Sequence, residues 1–149
     1  MKQQSGFTLI ELIMVIVILG ILAATAMPRF SDLVGESRVA KLSAMKASMQ
    51  SAAVMAHGLQ LARGVASNTP VTVEAGGTII SMVHGYPQAL EGGIMSAVDR
   101  TDYDISNWGT SGVAVDAAHP LCSISYVEAG AALGSFPTFI MNSAPADCS

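Results

Sequence analysis

Residues 7–27, FTLIELIMVIVILGILAATAM, form an apolar run broken by a single charge, Glu11. Coiled as a helix, about 21 residues rise about 31 Å, close to the hydrocarbon thickness of a bilayer. The run therefore predicts a helix able to span a membrane. A carboxylate at the centre of a bilayer costs roughly 2.5 to 3.5 kcal/mol on insertion scales, so Glu11 needs something that offsets this cost. A cleaved secretory signal, a permanent anchor and a processed segment with a further task would all begin with such a run. Ala24 to Ala26 supplies an A-x-A pattern, but the run is longer than the roughly 7 to 15 apolar residues of a signal peptide. A plain anchor explains the length and leaves Glu11 unexplained.

Beyond Pro28 the texture changes. Val39, Leu42, Met45, Met49, Ala52, Ala56 and Leu59 recur at offsets of three and four, with Asp32, Glu36, Arg38, Lys41, Lys46 and Gln50 between them. This is the pattern of an amphipathic helix with one buried face. Its end is expected near His57-Gly58, with Leu59 to Arg63 able to continue it. Gly20 and Pro28 are the weak points of the rod, because proline removes a backbone donor and glycine is a poor helix former. A bend is expected at these two positions. Met45 and Met49 are read as packing surface for whatever covers the helix.

After Gly64, Asn68 and Pro70 the chain turns to short β-like runs. Val71 to Val73 and Thr78 to Val83 flank Ala75-Gly76-Gly77, whose paired glycines suit a tight hairpin. Gly85-Tyr86-Pro87 is expected to end the second strand, and Gln88 to Val98 to form broken helix around Gly92-Gly93. Val113 to Ala117, Leu121 to Val127 and Pro137 to Met141 complete the antiparallel set, with Cys122, Ile124 and Tyr126 on one face. The fold class expected is α+β: a long N-terminal helix packed on a small antiparallel β-sheet head of about four strands. The organisation reads as a leader at 1–6, a transmembrane helix at 7–27, an amphipathic helix at 28–63 and a β-rich head at 64–149.

Charge divides the chain in the same way. Only 12% of its 149 residues are charged against 51% hydrophobic, where a soluble globule carries about 25% charge. Such a chain needs lipid or neighbouring subunits to cover it. After Arg63 the only basic residue is Arg100, set against eight acids from Glu74 to Asp147. That acidic head excludes a nucleic-acid footprint. Cys122 and Cys148 read as one disulfide in an exported protein and as two free thiols in the cytosol.

Gly6-Phe7-Thr8-Leu9-Ile10-Glu11, after a short polar leader and before the apolar run and Pro28, closely resembles the type IV prepilin signature. The resemblance implies cleavage between Gly6 and Phe7 by a prepilin peptidase on the cytoplasmic side, and methylation of the new amine on Phe7 by the same enzyme. Orientation rests on it too, since only Lys2 precedes the span while Arg29 and Arg38 follow. It implies that Glu11 pairs with the amine of a neighbouring copy and fixes filament register, removal of one partner of a buried pair costing on the order of 3 to 5 kcal/mol. A carboxylate snorkelling or protonated in the first turn is the plainer alternative, and Glu11 also gains from the positive end of the helix dipole.

The same resemblance implies loss of helicity between Gly20 and Pro28 in a filament, a Cys122–Cys148 bond, a homopolymer of pilin subunits, and contact with inner-membrane lipid and assembly machinery. It implies an inner-membrane precursor and an extracellular pilus serving adhesion, biofilm formation or motility. Gly85-Tyr86-Pro87 and the distal cysteines are most similar to MSHA-type pilins. The rival is a pseudopilin of a type II secretion system. Such subunits rely on bound calcium, for which Asp99, Asp102 and Asp104 are the best oxygen cluster; they lack the EF-hand pattern and read as a solvated loop. No H-E-x-x-H, G-x-S-x-G or Walker loop is present, His57, His84 and His119 are scattered, and Trp108 reads as a partly buried anchor. Neither an enzyme nor a cofactor is expected.

Overall fold

A computed structural model describes residues 6–73, 77–109, 112–132 and 134–149, with the backbone alone at Pro28, Ser31, Val73, Pro145 and Ala146. The expected leader, apart from Gly6, lies outside the described residues, as do Ala75 and Gly76 of the expected hairpin turn.

Helix α1, Leu9–Arg63, is 55 residues long, which at 1.5 Å per residue makes a rod of roughly 82 Å. Thr8 starts it, and Gly64 ends it in the left-handed region at φ 62°, donating its N–H to the Leu61 carbonyl. The helix continues through Gly20 and Pro28 and passes Gly58, the nearer expected end. A Cβ at Gly58 would meet nothing within 4 Å, so the glycine costs only propensity. Two residues on, Gln60 is buried and its Nε2 donates to the carbonyls of Ala66 and Thr69, both at 3.1 Å. The last turn is thereby held against the loop that leaves it.

Among the described residues the head comprises three small antiparallel sheets, where the sequence suggested a single one. Strands β1 (Val71–Val73) and β2 (Thr78–Ile80) pair with Val71 opposite Ile80. The run Thr78 to Val83 then breaks at Ser81, whose N–H donates to Gly92 and whose carbonyl accepts from Gln88. Strand β3 (Met82–Val83) turns through His84 and Gly85, both at positive φ, and pairs with β4 (Tyr86–Pro87). Tyr86-Pro87 was expected to terminate a strand and instead forms one, because two consecutive positive-φ residues make the tight turn that suits a two-residue hairpin. Residues 94–96 form one 3-10 turn. Strands β5 (Val113–Ala114), β6 (Ser123–Val127) and β7 (Thr138–Asn142) make the third sheet with β6 central. A short helix α2, Pro145–Cys148, follows.

The core lies where the upper half of α1 meets these sheets. Leu42, Met45, Met49, Ala53 and Ala56 are all buried at helical offsets, and each large apolar side chain so covered is worth roughly 1.5 to 3 kcal/mol. Facing the first of them are Ile94, Met95, Val113, Val115, Ile124 and Tyr126; a smaller cluster joins Ala56 to Val71, Ile80 and Met82. On β6 and the residue before it the expected face is buried: Cys122, Ile124 and Tyr126 are at most 5% exposed.

Candidate functional site at the N-terminal helix

From Phe7 to Val34 the large apolar side chains of the stem are exposed, Phe7 at 83% and Phe30 at 66%. The stretch is long and apolar enough to cross a membrane by length and composition, and none of its most apolar window is buried within the chain. Phe7 and Gly6 sit ahead of the first turn, both exposed.

Glu11 closes that turn. Thr8 donates its backbone N–H and its hydroxyl to Glu11 Oε2, at 3.0 and 2.7 Å, while the Glu11 N–H donates to Thr8 Oγ1 at 3.3 Å. This is a reciprocal capping box, satisfying donors that the first turn of a helix leaves without partners. Within one copy the carboxylate is occupied at the helix start, an arrangement that sequence reading missed although Thr8-x-x-Glu11 is its signature. At Gly20 a Cβ would meet nothing within 4 Å.

At the other end of the chain Cys122 and Cys148 are bonded, closing 26 residues of separation. Arg38 anchors this closure to the stem: its Nη1 donates to the Cys148 carbonyl at 2.9 Å, and its Nε lies 3.6 Å from Asp116 Oδ2. Asp116 Oδ1 accepts from His119 Nδ1 at 2.7 Å and from the N–H groups of Ala118 and His119. The His119 bond, ahead of the others, holds the Asp116 carboxyl below the usual carboxylate range. The C-terminal turn packs against the helix at Gly35, where a Cβ would make van der Waals contact with the Cys148 carbonyl at 3.4 Å. Neither Arg38 nor Gly35 was singled out from sequence.

The acidic loop is organised by its own turns. Asp99 Oδ1 accepts from the N–H and hydroxyl of Thr101, and these bonds hold its carboxyl low. Asp104 accepts from the N–H of Ser106 at Oδ1 and from its hydroxyl at Oδ2, so these carboxylates face local donors and do not converge. Lys41 pins the loop to the stem, donating to the carbonyls of Asp102 and Val115 while its ammonium lies 4.7 Å from the Tyr103 ring centroid. Burial, then Asp102 and Asp99, push the Tyr103 phenol up. Trp108 is partly buried against the core. His57 stacks on Tyr86 with ring centroids 4.4 Å apart, and His84 reaches the Ala129 carbonyl. All three histidines thus serve packing and turn closure.

A stem uncovered below, sheathed above by a small disulfide-closed sheet head and headed by Gly6-Phe7-Thr8-x-x-Glu11, defines a pilin-like chain. The comparisons narrow the class. The family described as the prokaryotic N-terminal methylation motif matches residues 1–27. A fimbrial protein of Pseudomonas aeruginosa is 46% identical over 56 residues, covering 35% of this chain and 36% of its own length. The type IV narrow pilus major component PilA5 of Thermus thermophilus is 50% identical over 54 residues, 36% of this chain and 47% of that protein. The type IV major alpha-pilin of Moraxella bovis is 51% identical over 43 residues, 29% and 27% of the two chains. Over its N-terminal third the chain is similar to type IV pilins. The alignments span between about a quarter and a half of these relatives, and no solved structure matches the chain significantly.

Proposed function

We propose that this chain is the precursor of a structural subunit of an MSHA-like type IV pilus, cleaved between Gly6 and Phe7, methylated on Phe7 and polymerised through its stem. The observation that carries the reading is the stem itself: large apolar side chains from Phe7 to Val34 stand exposed below a finished head. The hydrophobic effect requires that surface to be covered, first by inner-membrane lipid and then by the stems of neighbouring subunits. The work is burial and contains no chemical step.

In this reading the amine of Phe7 from one copy displaces the Thr8 donors at Glu11 of the next, and a subunit in the wrong axial position leaves both charges unpaired. The acidic heads form the outer surface, which serves adhesion or biofilm formation. The closed Cys122–Cys148 loop favours a surface pilin over a secretion pseudopilin.

N-terminal sequencing and intact mass of the chain in material sheared from whole cells test the proposal. A chain beginning at methylated Phe7 and abundant in that fraction is the expected result. The same matured chain confined to the cell envelope would make it a pseudopilin, and a chain beginning after Ala26 would overturn the processing assignment.

A further inference from the structure

Where α1 leaves the head, an open groove of about 370 Å³ runs between the stem and the C-terminal turn, walled by Gly35, Val39, Ser143 and Cys148 and edged by Asp32 and Glu36. Gly35 contributes bare backbone to its floor. An enclosed void of about 150 Å³ already holds a benzene ring, so the groove has room for an aromatic side chain. Its edge carries two like charges four residues apart on one helix face, a spacing that destabilises a helix unless a cation intervenes. The nearby cations of the chain are committed, Arg38 to Cys148 and Asp116 and Lys41 to two carbonyls. Among the described residues, neither Asp32 nor Glu36 has an ion-pair partner.

One turn below stands the complementary pair. Arg29 and Phe30 are adjacent and exposed, and Arg29 has no partner among the described residues. Within one chain they lie a turn below the groove, and Arg29 makes no ion pair with Asp32 although the i,i+3 spacing allows one. A parallel copy displaced toward the head can bring them there. Pairing the amine of Phe7 with Glu11 of a neighbour requires a displacement of about four residues, roughly 6 Å at 1.5 Å per residue. The same displacement brings Arg29 and Phe30 level with residues 33 and 34, between Asp32 and Glu36.

We infer that this groove is the seat for Arg29 and Phe30 of a second copy of the chain, the ring against the apolar wall and the guanidinium between the two carboxylates. The inference rests on the pilus reading and deepens it: the register is set at two points on one pair of stems, one at each end of the apolar segment.

The test places p-benzoylphenylalanine at position 30 of the full chain, irradiates sheared fibres and locates crosslinks by mass spectrometry. Crosslinks to 35–39 or 143 of a second copy are expected; crosslinks confined to other segments overturn the inference while leaving the pilus intact. In parallel, Arg29→Glu should lower fibre yield at least tenfold, and adding Asp32→Arg and Glu36→Arg should restore at least a third of it. Undiminished yield from Arg29→Glu, or no recovery in the combined variant, counts against the seat. If the unaltered chain yields no sheared fibre, the parent reading fails and this one with it.

Discussion

The guanidinium of Arg38 donates to the main-chain carbonyl of Cys148 at 2.9 Å, so the disulfide that closes the head is also fastened to the stem. The C-terminal turn is held at two points, one covalent and one charged. A cross-link stabilises chiefly by removing freedom from the unfolded chain, and a loop of this length, with cysteines 26 residues apart, is worth about 3 to 4 kcal/mol on the chain-entropy account.

Replacing both cysteines by serine should therefore lower the stability of the detergent-solubilised chain by about 3 to 4 kcal/mol, read from the urea midpoint of head unfolding. Arg38→Ala should cost about 1 to 2 kcal/mol, a part-buried hydrogen bond from a charged donor. An Arg38→Ala midpoint equal to that of the native chain would remove the second fastening from this account.

Acid should weaken the same corner. Asp116 is held below its ordinary pKa by His119, so its folded-state contribution is present above the unfolded value, about 3.9, and is lost as pH falls through the lower folded value. The group is partly exposed, at 42% of its side chain, and screening keeps the effect small. Thermal melts between pH 6 and pH 2.5 should show Asp116→Asn less stable than the native chain at the upper end, with the gap narrowing toward the lower. A gap that persists unchanged at pH 2.5 would mean that Asp116 acts by packing.

How far the sequence foretold this molecule depends on the range of the forces involved. The stem was legible because period and hydropathy are local: the offsets from Leu42 to Ala56 are a helix with one buried face, and Cys122, Ile124 and Tyr126 alternate as a strand does. Ala52 packs half-buried against the core as expected, while its neighbour Ala53, which the pattern did not mark, is the more deeply buried of the two. The division of the head into three sheets was not legible, since it turns on where the Ser81 backbone finds partners, in Gly92 and Gln88, residues whose proximity only the tertiary fold creates. Arg38 and Gly35 escaped for the same reason. Their partner, Cys148, is more than a hundred residues away along the chain.

Two glycines of the head should be intolerant of a methyl group. A Cβ at Gly93 would stand 2.1 Å from the Gln88 carbonyl oxygen, and one at Gly112, at φ 89°, would stand 2.2 Å from that of Ile124. Because both clashes are with backbone, relief requires moving a strand or turn, and each Gly→Ala change should cost more than about 3 kcal/mol. At Gly109 nothing lies within 4 Å, and Gly109→Ala should stay within about 0.5 kcal/mol of the native chain. Head unfolding midpoints of the three variants give the comparison, which fails if Gly93→Ala matches Gly109→Ala.

The cap that Glu11 makes in its own helix and the pairing with a neighbour proposed for it make opposite demands on Thr8. If the carboxylate serves only the capping box, then Thr8→Ala and Glu11→Ala remove one and the same motif, each at about 0.5 to 2 kcal/mol, and should impair assembly alike. If it fixes register between copies, Thr8→Ala leaves the charge in place and frees it for the neighbour's amine. Thr8→Ala should then assemble to near native yield, and Glu11→Ala, with leader removal intact, should fall at least tenfold in sheared fibre, since a buried amine without its counter-charge costs on the order of 3 to 5 kcal/mol. Fibre yield and the fraction of cleaved chain, measured side by side in the two variants, separate the roles, and equal losses would reduce Glu11 to a helix cap.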